Sequence, residues 1–122
     1  MDTVIIRDLT LETIVGLYPW ERAVKQRLCI DVDMATDIRQ AAENDDLQYT
    51  IDYSAVCSSI AALADKGQYR LIETLAENIA DMIQQQYTVA WVKVAVKKLD
   101  VMTNVNCVGI SIERGSQLLV KD

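Results

Sequence analysis

The chain has 122 residues, 51% hydrophobic and 25% charged, with a formal net charge of -6. That length holds one domain with a real core, and the composition excludes a disordered chain. The acidic balance and lack of a basic run argue against a nucleic-acid or anionic-membrane surface.

Histidine is absent. His-rich zinc sites, Ser-His-Asp triads and Cys-His pairs are thereby excluded, and acid-base chemistry falls to Lys, Tyr, Asp, Glu or water. Cys29, Cys57 and Cys107 are odd in number and lack Cys-x-x-Cys spacing, which argues against a disulfide framework or a zinc knuckle. The sequence runs from Met1 straight into Val4-Ile5-Ile6 without a basic, apolar or cleavage-site region. No segment approaches the roughly 20 apolar residues that cross a bilayer. A cytoplasmic protein is expected.

The first strand is expected over Val4 to Val15, with Leu9 and Leu11 on one face and Asp8, Thr10 and Glu12 on the other. Gly16 ends it, and Gly16 to Glu21 reads as a loop because Pro19 cannot donate to a ladder. Taken alone, Glu21 is expected in water on a turn. Gln26 to Ala35 alternates cleanly, Leu28, Ile30, Val32 and Met34 against Cys29, Asp31, Asp33 and Ala35, a half-buried antiparallel strand. A helical turn around Asp37 to Ala42 leads into the acidic connection Glu43-Asn44-Asp45-Asp46.

Tyr53, Val56, Cys57, Ile60, Ala61 and Ala64 share one helical face, with Asp52 or Thr50 as the cap and Gly67 as the break. A second helix from Leu71 to Tyr87 buries Ile72, Leu75, Ala76, Ile79, Met82 and Ile83. Glu73 falls beside that stripe, where a first-turn carboxylate either complements the helix dipole or serves a site. Strands follow at Trp91 to Lys98 and Cys107 to Glu113. Val92, Val94 and Val96 share a face with Lys98. A lysine in that apolar phase either snorkels out at the strand end or carries its ammonium into a pocket, since burial without a partner is costly.

The order is ββααββ: a four-stranded antiparallel sheet with two helices on one face, an α+β fold, as a single domain over 1–122. The bare face carries Asp31, Asp33, Lys93, Lys97, Ser111 and Glu113. Free sheet edges invite pairing between copies into a closed barrel, so a homo-oligomer with sites at subunit junctions is expected.

Gly16-Leu17-Tyr18-x-Trp20-Glu21, Asp45-Asp46-Leu47, Asp52-Tyr53, Leu71-Ile72-Glu73, Lys98 and Gly109-x-x-x-Glu113-Arg114-Gly115 together resemble the bacterial dihydroneopterin aldolases. Each piece is short, and their order and spacing carry the likeness over nearly the whole chain. The resemblance implies the tunnelling fold, an octamer of two stacked tetrameric rings, and pterin sites between subunits. It also implies a lyase that cleaves dihydroneopterin to hydroxymethyldihydropterin and glycolaldehyde in folate biosynthesis, with no cofactor, metal or Schiff base.

Carried over by position, Glu73 resembles the carboxylate that anchors the pterin, with peptide groups around Ile72 adding contacts. A carboxylate can grip the neighbouring N–H donors of an amino-pyrimidinone edge with two bonds. Tyr53, from the adjacent subunit, resembles the tyrosine that lies over the ring and exchanges a proton. Glu21 matches the loop glutamate at the polar end, and Lys98 the catalytic lysine, a general base acting through water. Desolvation favours a neutral lysine, whereas a carboxylate nearby favours the ammonium.

Leu99 stands where many of these aldolases have proline, and a leucine there resembles the related dihydroneopterin triphosphate epimerases. An epimerase would cleave and recombine before glycolaldehyde escapes. A triphosphate epimerase calls for a basic phosphate pocket, for which no strong cluster is visible. A non-catalytic oligomeric pterin-binding protein would keep Glu73 and dispense with Lys98.

Overall fold

The structure, a computed structural model, describes residues 1–116; the last six residues of the expected domain lie outside that range. Four strands form one antiparallel sheet in the order β1-β2-β3-β4, with β1 at Asp2–Thr13, β2 at Gln26–Thr36, β3 at Trp91–Met102 and β4 at Val105–Gly115. Between them run the short helices α1 (Pro19–Ala23) and α2 (Arg39–Asn44), a 3-10 turn at Leu47–Tyr49, and the long helices α3 (Tyr53–Gly67) and α4 (Ile72–Gln86). The expected ββααββ order is present, with shorter helical pieces inserted. Among the described residues no helix is long and apolar enough to cross a membrane.

The core is where the strand and helix periodicities meet. Leu28, Ile30, Val32 and Met34 of β2 and Val92, Val94 and Val96 of β3 are all fully buried, and they form one cluster with Val56 and Ile60 of α3 and Leu75, Ile79 and Ile83 of α4. Period-two and period-3.6 patterns each supply an apolar face, and every such side chain withdrawn from water contributes roughly 1.5–3 kcal/mol. Asp52, rather than Thr50, caps α3, its Oδ1 accepting from the amides of Ser54 at 3.0 Å and Ala55 at 3.3 Å. Such a cap is worth about 1 kcal/mol.

Three departures from the sequence reading have local physical causes. In β1, Arg7 and Asp8 both oppose Asp31, a bulge that places Asp8 at φ 56° with its amide donating to Asp31 Oδ1 at 2.8 Å. The extra residue switches the alternation, so Val4 and Ile6 before it and Leu9 and Leu11 after it all pack on the core. A second bulge, between Leu99 and Met102 with Asp100 at φ 60°, lets β3 run on past Lys98. The segment expected to be loop contains α1 instead: Pro19 occupies its first turn, where a missing N–H costs nothing.

Candidate functional site

Lys98 continues the apolar phase of β3, paired in register with Leu28 of β2 and Val108 of β4. Its side chain is only 16% exposed and its Nζ lies 2.9 Å from Glu21 Oε2. The pocket alternative is therefore the observed one, and the partner is Glu21 of α1.

Glu21 is itself 6% exposed, which overturns the expectation of a solvated turn. Its Oε1 accepts from the backbone amides of Leu17 and Tyr18, each at 3.1 Å, and its Oε2 accepts from Gln26 Nε2 at 3.3 Å in addition to Lys98. Burial by itself would push this carboxyl up, but the hydrogen bonds from Lys98, Tyr18 and Gln26 and the lysine's charge outweigh it and hold Glu21 at about 2. Gly16 makes the close approach possible. It sits at φ +137°, and a Cβ there would come within 2.3 Å of Glu21 Cδ.

The pair opens into a groove of about 520 Å³ with three walls: Leu17 to Glu21 with Trp20, the stretch Arg70 to Glu73, and Lys98 with Val101, Val108 and Gly109 from the far end of β3 and β4. Glu73 and Ile72 lie in the first turn of α4. Leu71, the N-cap residue, has no side-chain oxygen and gives no cap, so the first amides of the helix lack the usual internal acceptors. An exposed carboxylate and adjacent peptide groups therefore stand on one wall, and a buried ion pair stands on another. Together they offer a small polar molecule a charged acceptor, backbone donors and an ion pair in one groove.

Of the five residues singled out from sequence, Glu21, Ile72, Glu73 and Lys98 line this groove, and Tyr53 does not. Tyr53 is the first residue of α3 and 59% exposed. Gln26, which supports Glu21 while also bonding the Val15 carbonyl, was missed because a glutamine opening a strand carries no pattern of its own. Val101 was missed because the bulge that extends β3 leaves no mark in the alternation, whereas Gly109 was quoted in the family motif without a place in the site.

On the bare face, ligand atoms of Asp8, Cys29 and Asp31 lie within 4.8 Å of one another. The Lys97 ammonium lies 3.0 Å from Asp31 and 3.8 Å from Asp8, supplying the charge that a metal cation would bring there.

The family model described as FolB, Dihydroneopterin aldolase, matches residues 4–113. A dihydroneopterin aldolase of Haemophilus influenzae is 36% identical over 115 residues, covering 94% of this chain and 98% of that protein. A structure described as a putative dihydroneopterin aldolase from Vibrio cholerae superposes with a TM-score of 0.91 at 34% identity, over 95% of this chain and 98% of that one. The Escherichia coli dihydroneopterin aldolase in complex with neopterin superposes with a TM-score of 0.91 at 31% identity, over 94% of this chain and all of that one.

Proposed function

The chain belongs to the dihydroneopterin aldolase family, and on that footing we propose that its groove binds dihydroneopterin and cleaves it by a retro-aldol reaction. The products are hydroxymethyldihydropterin and glycolaldehyde, and the reaction is a cytoplasmic step of folate biosynthesis. The observation that carries this reading is the placement of Lys98 and Glu21 in the same groove as Glu73, a base and an anchor at two positions along one ligand.

Glu73 grips the amino-pyrimidinone edge with two charge-assisted bonds, and the amide of Ile72 adds a contact. The polar side chain then runs toward Lys98 and Glu21. The uncharged amine of Lys98, through a water, takes the proton from the side-chain hydroxyl on the carbon that leaves and becomes the ammonium that pairs with Glu21. The carbon–carbon bond breaks, the departing carbon becomes the aldehyde of glycolaldehyde, and the electron pair flows into the ring imine of the dihydropterin. Tyr53 or water returns a proton to the carbon left behind. Because the substrate brings its own electron sink, the step is routed through neither a metal nor a lysine Schiff base. Glu21 orients the Lys98 amine through their 2.9 Å contact.

Tyr53 reaches this chemistry from a neighbouring copy. Its exposure at the start of α3 and the two outer strands β1 and β4 support an oligomer in which sheet edges pair into the barrel of a tunnelling fold, as an octamer of two tetrameric rings. Leu99, paired with Cys107 within the ladder, stands where a proline would remove a backbone donor. Because a leucine there resembles the triphosphate epimerases, some recombination before glycolaldehyde leaves is part of this reading, with the epimer as a by-product. The test is a product assay on the purified protein with dihydroneopterin and a chelator present: glycolaldehyde is expected, together with a minor epimerised pterin. Pterin binding with no product would instead identify a non-catalytic binder, and faster turnover of the triphosphate would identify a triphosphate epimerase.

A further inference from the structure

Two walls of the groove come from separate stretches of chain, residues 17–21 and 70–73, and one side chain outside the groove ties their supports together. Arg22 follows Glu21 in α1. Its Nη1 donates to the carbonyls of Gly16 at 3.3 Å and Tyr69 at 3.2 Å, and its Nη2 to that of Gln68 at 2.8 Å. The Gly16 amide donates to the same Tyr69 carbonyl at 3.2 Å. One planar guanidinium thus spans both segments.

The charge has a local reason as well. Gln68 is the C-cap of α3, at φ 44°, so Arg22 lies where a helix leaves carbonyls unpaired and its dipole is negative. Among the described residues no carboxylate forms an ion pair with Arg22. Its contacts given above all go to backbone oxygens, which do not titrate, so the bridge does not depend on the ionisation of a partner.

Glu21 does not need Arg22 to keep its own geometry, since two amides, Gln26 and Lys98 already hold it. What Arg22 fixes is the separation between the Glu21–Lys98 pair and the turn that leads, within four residues of Tyr69, to Ile72 and Glu73. A ligand anchored at one end and cleaved at the other requires that span to be set in advance, and small misplacement of reacting groups is costly. We propose that Arg22 is a positioning residue that sets the span of the groove, and so governs pterin affinity without touching the pterin. The inference rests on the pterin-cleaving reading above.

The test uses Arg22→Ala and Arg22→Lys in the full chain, with neopterin as the binding probe and amide exchange at Gly16 as a second readout. Lysine keeps the cation at the end of α3 but cannot reproduce a planar fork across three carbonyls, so it retains the melting temperature while losing the bridge. Faster Gly16 exchange is expected in both variants, with neopterin affinity weakened about 10-fold in Arg22→Ala and several-fold in Arg22→Lys. In turnover of dihydroneopterin, KM rises more than kcat falls. Unchanged Gly16 exchange in Arg22→Lys overturns the bridge, and faster exchange with unchanged affinity overturns the positioning role. A wild-type protein that does not bind neopterin counts against the pterin reading, and Gly16 exchange then decides the bridge by itself.

Discussion

Lys98 and Glu21 are 77 residues apart in the chain and 2.9 Å apart in space. The contact joins Lys98 of β3 to the helical turn α1, and among the described residues it places the only cation on the buried face of β3 at the head of the groove. If Lys98 is the general base, Lys98→Ala removes a contribution that typically amounts to ~10²–10⁴ in rate. Glycolaldehyde release should fall by about that factor, while neopterin affinity changes little. Single-turnover measurements with dihydroneopterin check this, and an unchanged rate removes Lys98 from the chemistry.

The opposite split is expected at Glu73. This carboxylate is exposed in the first turn of α4, so Glu73→Ala should cost the fold no more than the ~0.3–1 kcal/mol of a dipole interaction. Loss of charge-assisted hydrogen bonds worth roughly 1.5–3 kcal/mol should weaken neopterin binding by about 10- to 100-fold. Calorimetric titration beside a thermal melt separates the two effects, and full affinity in the variant rejects the anchor.

Glu21 makes a prediction about pH. Held at about 2 against an ordinary 4.5, it binds its proton more weakly in the folded state than in the unfolded one. Its contribution to stability is therefore complete above 4.5 and is lost as pH falls toward 2. Glu21→Gln should melt well below wild type near about pH 6, and the gap should narrow near about pH 3, where the unfolded chain's carboxyl has taken up its proton while the folded one still resists it. A gap of constant size at both values shows that this carboxyl is not the titrating group.

The parts of this site that were legible from sequence, and those that were not, differ in a physical way. Lys98 was visible because it breaks a period-two pattern, and Asp52 because a capping aspartate sits one residue before an apolar face. The long helices and the β2 alternation were read directly, since periodicity there coincides with burial. Glu21 could be found only through its likeness to a family: taken alone it reads as a turn residue, and its burial depends on amides, a glutamine and a lysine from elsewhere in the chain. Both bulges escaped notice because an inserted residue looks like a change of phase. In β1 that phase change was present, in the passage from Val4 and Ile6 to Leu9 and Leu11.

Tyr53 lies outside the groove of its own chain, and where Tyr53 rather than water returns the proton, the proposed reaction draws it from another copy. Tyr53→Ala and Lys98→Ala should each be nearly inactive as separate preparations. When the two are unfolded together and reassembled, mixed oligomers contain junctions that combine an intact Lys98 with an intact Tyr53. Glycolaldehyde release should then reappear at a level neither parent shows. Reassembly to the correct size without regained activity would place both residues in one subunit's site, and an active Tyr53→Ala on its own would put Tyr53 outside the mechanism.

Gly109 tests how tightly the sheet fixes the lysine. It pairs with Lys97 across the β3–β4 ladder and lines the groove beside Lys98. A Cβ at this position would come within 2.3 Å of the Val96 carbonyl oxygen and 2.8 Å of Lys97 Cα. Those are backbone atoms, so no side-chain rotation relieves the clash and β3 itself must shift. Overpacking of this kind costs about 1–3 kcal/mol, and the displaced segment carries Lys98. Gly109→Ala should lower the urea midpoint by a corresponding amount and reduce kcat more than it weakens neopterin binding, because Glu73 sits on a different element. A variant with wild-type kcat and a lowered midpoint shows that the sheet can yield without moving the amine, and then the fixed position of Lys98 comes from its contact with Glu21 alone.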